Sequence, residues 1–418
     1  MQSENYIARV YERFSGGNFY DHALLVTWFL VIGLPMQGLT PFRYLFIMYF
    51  LSFFLFDTRN VVIGAVKAWW LWPFRIVALL SVFWSPYASD ALRSSALLIL
   101  SAVVITVVAA RFTPQQLIRC VMIACSIIVV YILMQNIPIE RGAGFGSKNY
   151  AALFMLTGFI LAAGVALNPN ELKQLRWMGA LMMPVFVHQV VSANSTTALF
   201  MLVASASLVF GMRVFFLDTR QVRHLSSLLV VIGLMVVMIT LYAIIIFVDR
   251  EVVDAFLGRF GKDTTFTGRT ALWQEAGNQI AMRPYLGVGL DGFWQYDVGS
   301  AQTLNENDHK PYGTELTFHN VHLEVLVHLG LVGYATFLLA VVSSVWLTLK
   351  RLLTHYDMPA VTFCTTIMVS LIMSLMESSL WSAFNLQGFL FFASGAVFAR
   401  GERRRHVGNL VARDAVPA

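Results

Sequence analysis

The stretch HNVHLEVLVHLGLVG, residues 319–333, marks the point where a hydrophobic helix leaves a long polar segment. That segment, residues 249–318, is the only long polar one in a chain that is 58% hydrophobic and only 12% charged. A soluble domain carries about 25% charged residues, whereas here apolar runs of spanning length recur along nearly the whole sequence. Because the alternation typical of strands is missing, we predict an all-α polytopic membrane protein.

These apolar runs predict about twelve transmembrane helices. Their approximate bounds are 22–39, 41–56, 67–84, 91–110, 116–136, 149–168, 175–193, 195–217, 225–248, 322–348, 359–378 and 381–400. Lys and Arg concentrate in alternate loops, and cytoplasmic loops carry an excess of these residues. We therefore expect both termini in the cytoplasm and residues 249–318 in the periplasm of a bacterium. The net charge of +6 indicates orientation rather than binding of nucleic acid.

This topology divides the chain into four parts. They are nine spans in 1–248, a periplasmic loop in 249–318, three spans in 319–400, and a basic cytoplasmic tail in 401–418. Within the loop, apolar residues at helical spacing predict an amphipathic helix over 249–260, lying on the membrane surface. A second helix is predicted over 269–282, with Thr267 as its N-cap, and it ends before Pro284.

Arg269 stands in the first turn of this second helix. A helix N-terminus offers unpaired N–H groups and the positive end of the helix dipole. A guanidinium at that point makes an anion site suited to phosphate. Because a cation is unfavourable at a helix start, we favour a functional role for Arg269 over simple pairing with an acid. Arg283, at the opposite end, suits the dipole and is interpreted as structural.

His319 begins the next helix and shares a face with His322. A helix over 319–350 would be about 47 Å long at 1.5 Å per residue, whereas the hydrocarbon core is about 30 Å thick. The first turns must then stand at the outer interface. A neutral imidazole there can accept a proton from a sugar hydroxyl. The alternative, two interfacial histidines bonded to backbone, is weakened by Asn320 and the following glycines, which most simply permit close helix packing.

Further polar candidates lie at the predicted outer ends of spans. Arg141, Lys148 and Asn149 surround a glycine-rich loop that could cradle phosphate or be an ordinary loop. Glu377 is a candidate site residue or a buried partner for an Arg. Arg75 is the one ionisable residue predicted deep in a span. A charge at such a depth indicates a function, and the alternative is that its side chain extends towards the cytoplasmic surface.

Metal sites and disulfides are not expected. The three cysteines, Cys120, Cys125 and Cys364, all lie in apolar runs, which argues against a disulfide framework and a thiolate site. Residues 306–309 place oxygen and nitrogen ligands close together, but a solvated charge cluster is the simpler interpretation.

The motif HN-x9-GxxG over 319–333 resembles the signature of the O-antigen ligases. GRxxxW over 268–273, followed by PxxGxG over 284–289, resembles the other half of that pattern. The predicted architecture, twelve spans with one large periplasmic loop late in the chain, is also similar to this family. The family in turn resembles the lipid-dependent, GT-C type glycosyltransferases.

The resemblance implies transfer of a preassembled O-antigen polysaccharide from undecaprenyl pyrophosphate to lipid A–core at the periplasmic face of the inner membrane. The reaction would be inverting and independent of metal, and would need no cofactor or nucleotide sugar. His319 would accept the acceptor's proton, and Arg269 would stabilise the leaving pyrophosphate. The expected substrate contacts are Arg141, Lys148, Asn149, Trp273, Asn320, His322 and Glu377.

One stretch departs from the family pattern. Family members often carry an Arg in a Ser-Arg-type motif between the seventh and eighth spans, where this chain has SANSTT over 192–197. Lys148 or Arg141 would then supply the missing charge.

Two other functions remain open. An O-antigen polymerase of the same superfamily needs the same donor chemistry and is the closest alternative. A twelve-span transporter belongs to a different class and usually places ionisable residues at mid-membrane. Here the ionisable clusters gather at the predicted outer face, which favours an enzyme.

Overall fold

The computed structural model describes residues 19–34, 38–216 and 269–400, and within these ranges it is helical with no β-strand. The helices are α1 (Phe19–Gly33), α2 (Thr40–Phe56), α3 (Thr58–Lys67), α4 (Trp72–Leu80), α5 (Ala88–Arg111), α6 (Pro114–Met134), α7 (Lys148–Ala166), α8 (Lys173–Ser192), α9 (Thr196–Phe216), α10 (Arg269–Met282), α11 (Gly299–Asn307), α12 (Val321–His355), α13 (Met358–Met373) and α14 (Leu386–Ala399). The predicted ninth span, the amphipathic helix over 249–260, Thr267 and the basic tail lie outside the described residues.

Several of these helices suit a membrane. Within the described ranges, α5, α6, α7 and α12 are long and apolar enough to cross one. The pair Pro41–Phe53 and Thr58–Lys67 is bent by 98° and would make a fifth span if it is one broken segment. The shorter apolar helices include α1, α9, α13 and α14. The predicted all-α membrane class agrees with these helices, while the number of about twelve spans stays a prediction.

Helix α7 is the centre of the packing. Its residues 151–165 are all buried, and α8 lies closely along it because glycines stand at the interface. A Cβ on Gly158 would come 2.4 Å from Cε1 of Phe186, and one on Gly179 would come 2.6 Å from the carbonyl oxygen of Ala162. Small residues permit this close approach, as they do between helices in membranes.

Loops predicted to share a side of the membrane contact one another. On the predicted cytoplasmic side, Arg111 pairs with Asp21 and, at 2.9 Å, with Asp57. On the predicted outer side, the loop that contains Gly289 packs against Ser85, and the start of α7 reaches the turn after α13. The helix bundle therefore keeps the two sets of loops at opposite ends.

Arg75 is buried inside the protein and does not extend to its surface. Its guanidinium donates to the Leu71 carbonyl at 2.9 Å and lies 4.8 Å from the centre of the Phe392 ring. A carbonyl bond and a cation–π contact partly offset the cost of burying this charge. Arg75 thus joins α4 to α14 at a distance from the polar clusters of the outer end.

Helix α12 is not the continuous helix that the sequence predicts. Gly330 has φ 61° and ψ −163°, a conformation that breaks the helix. The freed backbone groups pair with the PxxGxG segment. The four bonds are Val288 N–H to Val327 O (2.9 Å), Gly289 N–H to His328 O (2.8 Å), Leu331 N–H to Pro284 O (2.8 Å) and Val332 N–H to Tyr285 O (3.1 Å). The two glycine motifs therefore hold each other, which is a more specific role than the predicted close packing of helices.

We expect Gly330→Ala to destabilise the protein strongly. The backbone conformation at this position is essentially restricted to glycine and costs about 1–3 kcal/mol for other residues. In addition, the new Cβ would lie 2.3 Å from the carbonyl carbon of Tyr285. Thermal unfolding of the detergent-solubilised protein measures the effect. The matched control is Gly277→Ala in α10, where a Cβ meets nothing within 4 Å and alanine favours the helix by up to about 1 kcal/mol. Equal melting temperatures for the two variants would contradict this account.

Candidate active site

Glu377 is the centre of a polar cluster at the outer end of the bundle. It lies in the turn after α13, where its N–H donates to the Met373 carbonyl at 2.7 Å, and its side chain is fully buried. Its Oε1 accepts from Arg269 Nη2 at 3.0 Å and from Asn149 Nδ2 at 2.9 Å. Its Oε2 lies 3.2 Å from Nδ1 of His319. Three other residues predicted for the site, Arg269, Asn149 and His319, thus converge on the carboxylate of Glu377.

Helix α10 presents Arg269 to this carboxylate from its first turn. One turn later, Trp273 fixes the helix, because its indole Nε1 donates to the Phe318 carbonyl at 2.9 Å. Arg269 Nη1 also contacts Sδ of Met376 at 3.4 Å. The guanidinium side chain is 13% exposed, so it neutralises the buried Glu377 while its edge remains accessible. Trp273 therefore holds α10 close to His319, because Phe318, whose carbonyl accepts this bond, directly precedes His319.

His319 is held in an unusual backbone conformation just before α12. Its φ is +49°, a region in which His is one of the more tolerated residues. Asn320 is the N-cap of α12, since its Oδ1 accepts from the N–H of His322 at 2.9 Å and of Leu323 at 3.3 Å. The cap directs the chain so that the His319 ring, 28% exposed, meets Glu377. Asn320 therefore has a capping role, and its direct contact with substrate stays a prediction.

The His319–Glu377 pair has the arrangement of a general base and its orienting carboxylate. Within the described residues, the bond to Glu377 occupies Nδ1, so Nε2 is the nitrogen that can face a substrate. A carboxylate on one ring nitrogen fixes the tautomer and stabilises the imidazolium that forms when the other nitrogen accepts a proton. The site can therefore remove a proton from a hydroxyl group.

His322 is not part of this cluster. Its Nδ1 lies 3.1 Å from the Tyr334 hydroxyl, and its Nε2 lies 3.3 Å from the Ser374 hydroxyl. Both ring nitrogens thus have protein partners, and the side chain joins α12 to the end of α13. The predicted substrate contact for His322 has no support in this geometry.

The glycine-rich loop brings one of its three candidates into the cluster. Asn149 bonds to Glu377, and its Oδ1 accepts from the Ser195 hydroxyl at 3.1 Å. Lys148 and Arg141 are exposed and, in the part of the chain that the structure describes, neither forms a salt bridge. Ser195 comes from the SANSTT stretch, so this stretch reaches the site through a hydroxyl. We did not predict Ser195, although the comparison with the family's Ser-Arg motif pointed to its neighbourhood.

A second buried carboxylate supports the backbone next to His319. Glu324 Oε1 accepts from the Phe318 N–H at 2.6 Å and from the Ser378 hydroxyl at 3.3 Å. Ser378 follows Glu377 directly, so the two acids stabilise adjoining parts of the same turn. Glu324 lies within the motif over 319–333, but its apolar surroundings gave no sequence signal for this role.

Among the residues that the structure describes, no group of three or more His, Cys, Asp or Glu side chains could hold a metal ion. In the predicted charge cluster at residues 306–309, Oδ2 of Asp308 lies 3.8 Å from Nζ of Lys310, and both side chains are about half exposed.

The cluster lies partly inside a segment with a known family pattern. Residues 181–338 match the family model described as O-Antigen ligase, which confirms the resemblance predicted from the motifs. This segment contains Arg269 and His319, and the family comprises glycosyltransferase-like enzymes of polysaccharide assembly.

A curated relative extends the similarity beyond that segment. The chain is 27% identical over 366 residues to the exopolysaccharide production protein ExoQ of Rhizobium meliloti (strain 1021). The alignment covers 84% of this chain and 81% of the relative. It therefore extends over most of the chain, whereas the family model matches one segment.

Proposed function

We propose that this protein transfers a glycan from undecaprenyl pyrophosphate to a saccharide hydroxyl at the periplasmic face of the inner membrane. The observation that carries the proposal is the buried Glu377, which joins the His319 imidazole to the Arg269 guanidinium. A proton acceptor and an anion-binding cation held by one carboxylate suit a reaction that deprotonates a hydroxyl and expels a pyrophosphate. The first candidate is an O-antigen ligase, with O-antigen as donor and lipid A–core as acceptor.

The proposed reaction is a single inverting displacement. The acceptor oxygen forms a bond to C1 of the donor sugar while the bond from C1 to the pyrophosphate oxygen breaks. The hydroxyl proton moves to Nε2 of His319, and Glu377 stabilises the imidazolium. Arg269, with Lys148 at the exposed edge, stabilises negative charge on the departing undecaprenyl pyrophosphate. Because Arg and Lys supply this stabilisation, the mechanism requires neither a metal nor a cofactor.

A second candidate is polymerisation of lipid-linked repeat units by the same chemistry. The specific observation that favours it is the relative named for exopolysaccharide production, which aligns with 84% of this chain. The two candidates differ only in the acceptor, since each uses a pyrophosphate-linked donor.

The products of the purified protein distinguish these candidates. The protein in detergent is incubated with undecaprenyl-pyrophosphate-linked glycan, lipid A–core and EDTA, and the products are separated on a gel. Glycan attached to lipid A–core establishes a ligase, and longer lipid-linked glycan establishes a polymerase. If neither product forms with any lipid-linked donor tested, the transferase proposal is wrong and the transporter alternative gains support.

We expect Arg269→Gln to slow transfer by about 10²–10³-fold, or about 2.7–4 kcal/mol of barrier. This is the usual effect of removing one donor that stabilises developing negative charge. Because the variant also leaves Glu377 without its cation, thermal unfolding is measured in parallel, and Arg269→Lys tests whether charge alone suffices. The control is Arg283→Gln at the exposed end of the same helix, which should transfer at the wild-type rate. Normal transfer by a folded Arg269→Gln protein would exclude the proposed role.

A further inference from the structure

A cavity of about 490 Å³ lies beside the Glu377 cluster and has its own lining. Its walls come from the start of α5, the loop before α11, the segment before α12, the first turns of α12 itself and the loop between α13 and α14. The residues that matter for its chemistry are Asp90, Asp291, Trp294, Glu324, His328 and Trp381. Its volume falls in the range of small-molecule sites, about 300–1,000 Å³.

Several polar atoms of the cavity residues are buried without a hydrogen-bond partner among the described residues. They are Oε2 of Glu324, Nε2 of His328 and Nε1 of Trp294. Glu324 and His328 are each 1% exposed, and these two atoms lie 3.5 Å apart, so the carboxylate and the imidazole face each other. The indole N–H of Trp294 is then the atom of this set that a sugar hydroxyl would satisfy, by accepting from it.

The charge and the aromatic content of the cavity favour an uncharged sugar over a pyrophosphate. Its four carboxylates are Asp90, Asp291, Glu315 and Glu324, whereas Arg93 is the one Lys or Arg side chain in the lining. An excess of carboxylates repels phosphate but accepts hydroxyl hydrogens. Trp381 and Trp294 offer flat apolar surfaces, which suit the C–H faces of a sugar ring.

The cavity adjoins the proton acceptor through a short piece of backbone. Thr317 lines the cavity, and its hydroxyl accepts from the His319 N–H at 3.3 Å. Glu324, also in the lining, holds the Phe318 N–H at 2.6 Å. A sugar bound in the cavity therefore lies next to the backbone that leads into His319, whose own side chain is not part of the lining.

We infer that this cavity is the acceptor subsite, which binds an uncharged sugar residue beside the backbone that leads into His319. The inference rests on the proposed function and adds the chemical class and the position of the acceptor. The sugar could belong to lipid A–core or to a growing lipid-linked glycan, and both present the same hydroxyl chemistry.

Binding without turnover tests the inference independently of the transferase activity. The full chain in detergent, without donor, is titrated calorimetrically with three probes: core oligosaccharide freed of lipid A, repeat-unit oligosaccharide freed of its lipid, and inorganic pyrophosphate. Asp291→Asn removes one charge of the cavity while retaining an acceptor for its bond from Ser94, and Trp381→Leu removes an aromatic surface. The control is Asp308→Asn in the exposed stretch before α12.

We expect one of the two saccharides to bind the wild-type protein and the control equally. Both cavity variants should bind it about tenfold more weakly, a difference of about 1.4 kcal/mol. The saccharide that binds identifies the source of the acceptor. Binding of neither saccharide, or equal binding by wild type and folded Asp291→Asn, would overturn the inference. Saccharide binding that depends on the cavity, without transfer in the product assay, would instead contradict only the proposed function.

Discussion

Replacing Glu377 by Gln should lower the rate of glycan transfer by about 10³–10⁴-fold while leaving most of the protein folded. The expected magnitude follows from catalytic triads, where the loss of the orienting carboxylate has an effect of about 10⁴ on turnover. In this chain the same carboxylate holds Nδ1 of His319 at 3.2 Å and Nη2 of Arg269 at 3.0 Å. A neutral amide could no longer stabilise the imidazolium, and it would leave Arg269 without a counter-charge. Initial rates with a lipid-linked donor, measured together with thermal unfolding, give the result.

The matched control is Glu171→Gln on the predicted cytoplasmic side of the bundle. Glu171 is also a buried acid paired with an Arg, since its Oε1 lies 2.7 Å from Nη2 of Arg119. The Glu171→Gln substitution also neutralises a buried carboxylate, so it measures that effect on stability without changing the candidate active site. We expect a similar loss of melting temperature in both variants and a loss of transfer only in Glu377→Gln. If Glu171→Gln lost transfer to the same degree, the effect at Glu377 would be one of folding.

The second large effect is expected at His319, where replacement by Asn should slow transfer by about 10²–10⁴-fold. General base catalysis contributes this much in other enzymes. Asn is preferred to Ala here because His319 has φ +49°, and Asn tolerates this conformation. The control is His309→Asn, which also replaces an exposed His with positive φ, at +54°, but lies away from the cluster. Initial rates of transfer for both variants measure the effect.

The two residues should behave as one unit in a double variant. Because the carboxylate acts on the reaction through the imidazole, Glu377→Gln combined with His319→Asn should be scarcely slower than the worse single variant. Residues of a catalytic unit are known to be strongly non-additive in this way. Multiplicative losses would show that Glu377 acts by a separate route, with Arg269 as the obvious partner. Wild-type transfer by folded His319→Asn would remove the proton-acceptor role altogether.

Local sequence was sufficient to locate many of the helices, although α11 and the break in α12 were not predicted. Strongly apolar stretches such as 91–110 and 116–136 became α5 and α6 with ends close to those predicted, because spanning length and hydropathy are properties of a contiguous segment. Arg269 at a helix start and His319 before a long helix were also predicted from their positions relative to such ends. The cap at Asn320 was not predicted, although it is a local feature, since the bond that defines it closes within three residues.

Other parts of the site could not be predicted because their partners are distant in sequence. Glu377 was named as a candidate, yet its contacts come from 58, 108 and 228 residues away. Nothing in the sequence around Glu377 distinguishes a carboxylate that bonds to several residues from an ordinary buried acid. His322 shows the same limit of local sequence. Helical spacing placed it with His319, but Tyr334 and Ser374 occupy both of its nitrogens.

The sequence by itself thus determined the all-helical class of the described residues, the approximate position of many spans and the two motifs that carry Arg269 and His319. These follow from hydropathy and backbone preferences, which act over a few turns of chain. Only the tertiary structure decided that Gly330 breaks α12 to pair with the PxxGxG segment and that Glu377 joins base to cation. The backbone groups freed at Gly330 and the charge of Glu377 cannot remain buried without partners. Which residues become those partners depends on how the helices pack.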